Sequence, residues 1–215
     1  MLARGSWWYA EVEASADRPP RLVSVSSTRH PDGQRVAVSA ADVDEQIGAD
    51  ADCWVSYGWA GQVTGLQVTA RVAPRAPALW FLEVRESATQ PPAVNLLAFS
   101  EPGVTPGGLL DLAAFSNTDI DGSAQLGAIR WYPATGEVDQ IYVAPEMRRR
   151  SIGSALISAS ATLSVARGWP RLWGDGQRTE LGEQFRNGHT WWFRAAELTH
   201  VAPPMTPPEG RTASK

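Results

Sequence analysis

The sequence holds a single cysteine and three histidines in 215 residues, and each shortage excludes chemistry. Cys53 has no partner for an internal disulfide, which fits a reducing compartment. It lies in an apolar, strand-like run with nothing nearby to lower its pKa, so a catalytic thiolate is not expected there. His30, His189 and His200 lack the spacing of a metal site, and no metal is expected. Positive charge is also scarce. Against 23 Asp and Glu there are 19 Lys and Arg, a formal charge of -4, whereas a nucleic-acid coat needs a basic surface that releases phosphate counterions. No stretch approaches the roughly 20 apolar residues of a membrane span, and the N-terminal residues lack the apolar segment and cleavage site of a secretory signal. The expectation is a cytoplasmic protein bound to neither membrane nor nucleic acid.

What is present in excess is tryptophan, ten in all. Most are expected to fill a core or an interface. In the pairs Trp7-Trp8 and Trp191-Trp192, adjacent side chains on a strand point to opposite faces, so at least one of each pair is expected to cover an extension or a partner.

Short strands separated by turn residues dominate the first part of the chain: Trp7 to Glu13, Arg21 to Ser26, Gln34 to Ser39, Cys53 to Trp59, Gln62 to Val72 and Ala78 to Val84. After the break at Ser87 to Pro92 come a strand at Val94 to Phe99 and a short helix at Gly107 to Phe115. The strands Leu126 to Tyr132 and Glu137 to Val143 follow, joined by the turn sequence Pro133-Ala134-Thr135-Gly136. Ile152, Leu156, Ala159 and Leu163 recur at helical spacing, Gly168 suits a left-handed cap and Pro170 forbids continuation, which predicts a helix over 152–167. Arg171 to Trp173 reads as a short strand, Thr179 caps a second helix, and Trp191 to Val201 reads as a last strand. The division expected is a β-rich region over 1–90, either a separate module or an acceptor-side wall, a core over 91–202 and a proline-rich tail over 203–215. Asn117 to Gly122 places oxygen side chains as a calcium loop does, but the twelfth position is Ala128 where a carboxylate is required, so it reads as a polar turn.

The stretch Pro145 to Leu156, PEMRRRSIGSAL, carries the chemistry. A strand, a glycine-containing loop and then a helix present backbone amides and a positive dipole end to a phosphate. Three arginines just before a helix N-terminus are electrostatically unfavourable until an anion joins them. Tyr142-Val143-Ala144-Pro145 followed by Arg148-Arg149-Arg150-Ser151-Ile152-Gly153 resembles the acetyl-CoA signature of the GNAT acetyltransferase superfamily, a strand ending in Val-x-Pro and then Gln/Arg-x-x-Gly-x-Gly/Ala opening a helix. Arg148 stands at the Gln/Arg position and Gly153 at the last Gly/Ala position, while Ser151 replaces the first Gly.

The resemblance implies an α+β fold, a mixed and mostly antiparallel twisted sheet with flanking helices, here preceded by the β-rich region. It implies acetyl-CoA as cosubstrate and transfer of the acetyl group to an amine, on a small molecule or a protein, by direct attack. Coenzyme binding falls on Ile141, Tyr142 and Val143 along the strand and on Arg148, Arg149, Arg150, Ser151, Ile152, Gly153 and Ser154 in the loop and first helical turn. Glu137, 11 residues before Arg148, and Asp139, on the same strand face, are the candidate bases, and the main-chain N–H near Val143 is the expected oxyanion donor. The family often has a Tyr in the second helix to protonate the leaving thiolate, where this chain offers Phe185. It also usually has two helices between its first and second strands, where this chain reads mainly as strands. The alternative reading is a catalytically weak or inactive domain that binds acyl-CoA or a protein partner. A homodimer is open.

Overall fold

The computed structural model describes residues 6–188 and 195–202. β1 (Ser6–Val12), β2 (Arg21–Ser27), β3 (Arg35–Val38), β4 (Ala51–Tyr57) and β5 (Val63–Val68) form a first sheet in the order β3-β1-β2-β4-β5. It is antiparallel except for the parallel β1–β3 pair. β6 (Trp80–Glu86), β7 (Ala93–Phe99), β8 (Leu109–Leu110), β9 (Gly127–Tyr132), β10 (Glu137–Val143) and β11 (Trp173–Gly174) form a second, in the order β11-β10-β9-β7-β6-β8. Its four central strands are an antiparallel meander, and both outer strands are parallel to their neighbours. The sheets are stitched together where the Leu66 N–H donates to the Gly107 carbonyl (2.6 Å) and the Phe81 N–H to the Gly108 carbonyl (2.8 Å).

Between the sheets lies one helix. A short turn, α1 (Val43–Gln46), packs on the outer face of the first sheet, and α2 (Leu112–Phe115) on that of the second. The central helix, α3 (Ile152–Ala166), packs against β2, β4 and β5 on one side and β7, β9 and β10 on the other. All its residues from Ser154 to Val165 are buried, as a helix without a charged residue must be to hide apolar surface on every side. Two of its hydroxyls are bonded, while those of Ser158 and Ser164 are buried without a partner among the described residues. Ser160 donates to the Leu156 carbonyl (2.7 Å), and Thr162 bonds the Ser158 carbonyl (2.6 Å) and the Ser24 hydroxyl (2.9 Å) of β2. One hydrophobic cluster therefore runs from Leu22, Val55 and Leu66 of the first sheet through Leu156 and Leu163 to Leu96, Ile129 and Trp131 of the second.

Several expectations change. The first 90 residues are not separately packed, because β6 belongs to the second sheet and pairs with β7 along its whole length, so a division at residue 90 falls inside a hairpin. The helix expected over 107–115 is split. Leu109 and Leu110 join the sheet, and Asp111 caps one helical turn by accepting from the Ala114 N–H (2.8 Å). Trp7 and Trp8 do point to opposite faces of β1, but both are buried in the chain's own clusters, Trp7 toward α3 and Trp8 toward α1. The last strand is observed only at β13 (His200–Val201), which pairs with β12 (Gln177–Arg178). Trp191-Trp192 and the proline-rich tail lie outside the described residues. Among the described residues no helix is long and apolar enough to cross a membrane.

Cys53 lies fully buried in the shared core, and burial pushes its thiol from 9.0 up to about 12. Below pH 9 both folded and unfolded chains keep the proton; as pH rises toward 12 only the native thiol does, so unfolding gains about 1.4 kcal/mol per pH unit. The difference in stability between wild type and Cys53→Ala is therefore expected to shift in favour of the variant through this window, as read by urea titrations at successive pH values. The shared core makes a second expectation. Leu66→Ala and Leu96→Ala, one in each sheet, should each cost about 2–5 kcal/mol, and each variant should still unfold in one transition by fluorescence and circular dichroism. Two transitions would mean separately folded sheets.

Candidate coenzyme and acyl-transfer site

β10 ends at Val143, and a tight helical turn at Pro145–Met147 leads into the arginines. Arg149 and Ser151 both adopt left-handed backbone, with φ of 61° and 60°. For residues other than glycine that conformation costs about 1–2 kcal/mol each, so the surrounding structure holds the loop in this shape. Left-handed residues recurring along a loop can gather successive amides into an anion-binding concavity. Ser151 is the N-terminal boundary of α3, yet its side chain makes no capping hydrogen bond; its carbonyl accepts from the Ala155 N–H (3.0 Å). The positive end of a 15-residue helix thus opens onto a loop where Arg148, Arg149 and Arg150 are all exposed. Ile152 and Ser154, in the first turn of α3, are buried.

Gly153 has a different neighbour from the one its motif suggests. A Cβ there would lie 3.2 Å from Cε2 and 3.4 Å from Cζ of Phe185. The missing side chain makes room for an aromatic ring of α4 (Glu180–Asn187), which is capped as expected by the Thr179 hydroxyl accepting from the Gly182 N–H (3.0 Å). Phe185 therefore sits at the first turn of α3, beside the loop.

The second feature is a parting of strands. β11 pairs with β10 only at Glu137↔Trp173 and Val138↔Gly174. Gly174 then turns to Ala195, and its carbonyl accepts from the Ala196 N–H (2.9 Å). From Asp139 to Val143, β10 has β9 on one edge and, among the described residues, no strand on the other. The Ala144 N–H is bonded to the Leu126 carbonyl of the β9 side (3.0 Å). By the alternation of an antiparallel pair, the peptide groups of Ile141 and Val143 point to the open edge. There the Arg148 Nε donates to the Val143 carbonyl (3.3 Å). Tyr142 is half-buried on the sheet face away from α3, opposite Ala128.

The two candidate bases share that outer face. Glu137 lies opposite Tyr132, and a bulge between Val138 and Gln140 turns Asp139 the same way. They differ in company. Asp139 accepts from Arg130 Nη1 (2.6 Å) and from the Tyr132 hydroxyl (2.9 Å), one on each oxygen. Arg130 also donates to Glu86 (3.0 Å), which accepts from Asn95 Nδ2 (2.8 Å). The guanidinium and the amide hold the Glu86 carboxyl below its usual range. Among the described residues the Glu137 carboxylate makes no hydrogen bond or ion pair, which leaves its lone pairs open to a water or an acceptor. This network of Glu86, Asn95, Arg130 and Tyr132 escaped the sequence reading. Its signal is the polar residues at alternate positions of otherwise apolar strands, which becomes a cluster only once the register is known.

With this geometry in place, comparison with protein families is informative. Residues 74–180 match the model of the acetyltransferase (GNAT) family, and the chain belongs to that superfamily. Comparison with curated proteins and with solved structures gives no match. The matched region runs from just before β6 to the start of α4, so the whole first sheet lies ahead of it. Its first two strands, β6 and β7, are joined directly through residues 87–92, where two helices are usual in the family.

The left-handed backbone also explains why the signature has Gly where this chain has Ser151. Ser151→Gly is expected to stabilise the protein by about 0.5–1 kcal/mol in urea titrations, and Ser151→Val to destabilise it. Equal stability of all three would mean the loop is not held in this conformation.

Proposed function

We propose that the protein is an N-acetyltransferase that moves the acetyl group of acetyl-CoA to an amine. The observation that supports this most is the juxtaposition of the open edge of β10 with the strained arginine loop and the N-terminus of α3. In this reading the amides from Arg149 to Ser154 hold the pyrophosphate, and the arginines add charge. The peptide groups of Ile141 and Val143 bond the pantetheine arm as an added strand would.

The amine nitrogen attacks the thioester carbonyl carbon. The C–N bond forms, the C–S bond breaks, and its electron pair leaves on sulfur. The Val143 N–H faces the carbonyl oxygen as it becomes negative. The proton lost from the ammonium goes to Glu137, the freer of the two carboxylates. Glu137 lies four residues, about 13 Å along a strand, from Ile141, so the transfer runs through water. Phe185 has no proton to give, and the thiolate leaves without a side-chain acid. The acceptor approaches the outer sheet face around Glu137, beyond the part over β6 and β7 that α2 covers. With its one cysteine unpaired, the protein suits the reducing cytoplasm.

Phe185 in place of a proton donor favours the rival reading, a domain that binds acyl-CoA without turnover. The two are separated by calorimetry with acetyl-CoA and by thiol release over a panel of amines. The expected result is saturable binding, amine-dependent thiol release, and a Glu137→Gln variant about a hundredfold slower at unchanged acetyl-CoA affinity. Binding without release selects the rival. No binding at millimolar acetyl-CoA removes both.

A further inference from the structure

We propose that Asp32, in the β2–β3 turn of the first sheet, positions the coenzyme slot of the second by acting through Arg171, an inference that rests on reading the open edge of β10 as that slot. A sheet edge with free peptide groups tends to be paired by any strand that can reach it. β11 already runs parallel to β10 for two residues and would close the edge by continuing. Something must hold it back, and its root is held from two sides.

On one side is Asp32, in the turn between β2 and β3. Its two carboxylate oxygens accept from Arg171 Nη1 and Nη2, both at 2.7 Å, and Oδ1 also accepts from the Trp7 N–H (3.1 Å). This fork is directional as well as strong. The turn is shaped around it. Gly33 has φ 82°, and a Cβ there would lie 2.5 Å from Arg171 Nη1. The guanidinium is also 6.0 Å from the centroid of the Tyr9 ring, and the Arg171 side chain is only 17% exposed.

On the other side is the β9–β10 turn. The Arg171 carbonyl lies so close to Gly136 that a Cβ there would come within 2.3 Å of it. Two residues on, the Trp173 N–H donates to the Gly136 carbonyl (2.9 Å) and the Trp173 indole to the Thr135 carbonyl (3.1 Å). The start of β11 is thus clamped between the first sheet and this turn, and its direction away from β10 is set before it leaves. The first sheet thereby does more than cover α3.

The test is calorimetry with acetyl-CoA on the full chain carrying Asp32→Ala, Arg171→Ala or both. The control is Arg71→Ala, which breaks the Asp52–Arg71 ion pair within the first sheet, away from β11. The expected result is that affinity falls about tenfold in each of the first three, the double variant no weaker than either single one. Arg71→Ala should bind as wild type even where its melting temperature falls as far. Wild-type affinity in Asp32→Ala, or equal loss in the control, overturns the proposal. If wild type itself does not bind acetyl-CoA, the proposed function fails instead. The clamp is then judged by hydrogen exchange at the Trp173 and Gly174 amides, where faster exchange in Asp32→Ala than in Arg71→Ala supports it and equal exchange overturns it.

Discussion

Everything in this molecule is arranged around the burial of α3 on all sides. A helix with no charge from Ile152 to Ala166 and buried hydroxyls along its length cannot lie on a protein surface, and a single sheet covers only one side of it. The second sheet supplies one cover and the first sheet the other, and the two meet in one hydrophobic cluster. Fixing the helix this firmly fixes its N-terminus. The left-handed residues that precede it are tolerable because the helix and the end of β10 leave the loop little choice.

The same constraint shapes the slot. With β10 held by β9 and by α3, the freedom at that edge among the described residues belongs to β11, which pairs briefly and departs. Side chains from three places surround it at different points: Arg148 at the end of β10, Phe185 at the first turn of α3, and Glu137 with the Arg130 network on the outer face toward the paired end. The chemistry proposed uses main-chain groups of β10 and the helix dipole more than any single side chain, and so tolerates both Ser151 and Phe185.

Much of this was legible in the sequence where the signal was local. The Pro133 to Gly136 turn, the bounds of β10, the Thr179 cap and Gly168, observed at φ 71°, follow from turn and cap chemistry within a few residues. The loop could be placed because its neighbours on both sides were so well marked. What was missed is non-local. Nothing near Trp80 says that β6 pairs with β7 in the second sheet and not with β5 in the first. Asp32 and Arg171 are 139 positions apart. The spacing of Ile152, Leu156, Ala159 and Leu163 marks the helix, but only the lack of charge around the rest of it implies cover on both sides. The ring of Phe185 that Gly153 makes room for is likewise non-local, since a motif does not reveal that an aromatic ring comes back to the same turn.

The central claim is that the β10 edge and the α3 N-terminus together form a coenzyme A site, and a crystal structure of the full chain with coenzyme A tests it most directly. The account predicts the pyrophosphate on the main-chain amides between Arg149 and Ser154, with the pantetheine arm beside Ile141 and Val143 in the gap left by β11. Coenzyme A bound elsewhere, or β11 zipped along β10 with the gap closed, would contradict it.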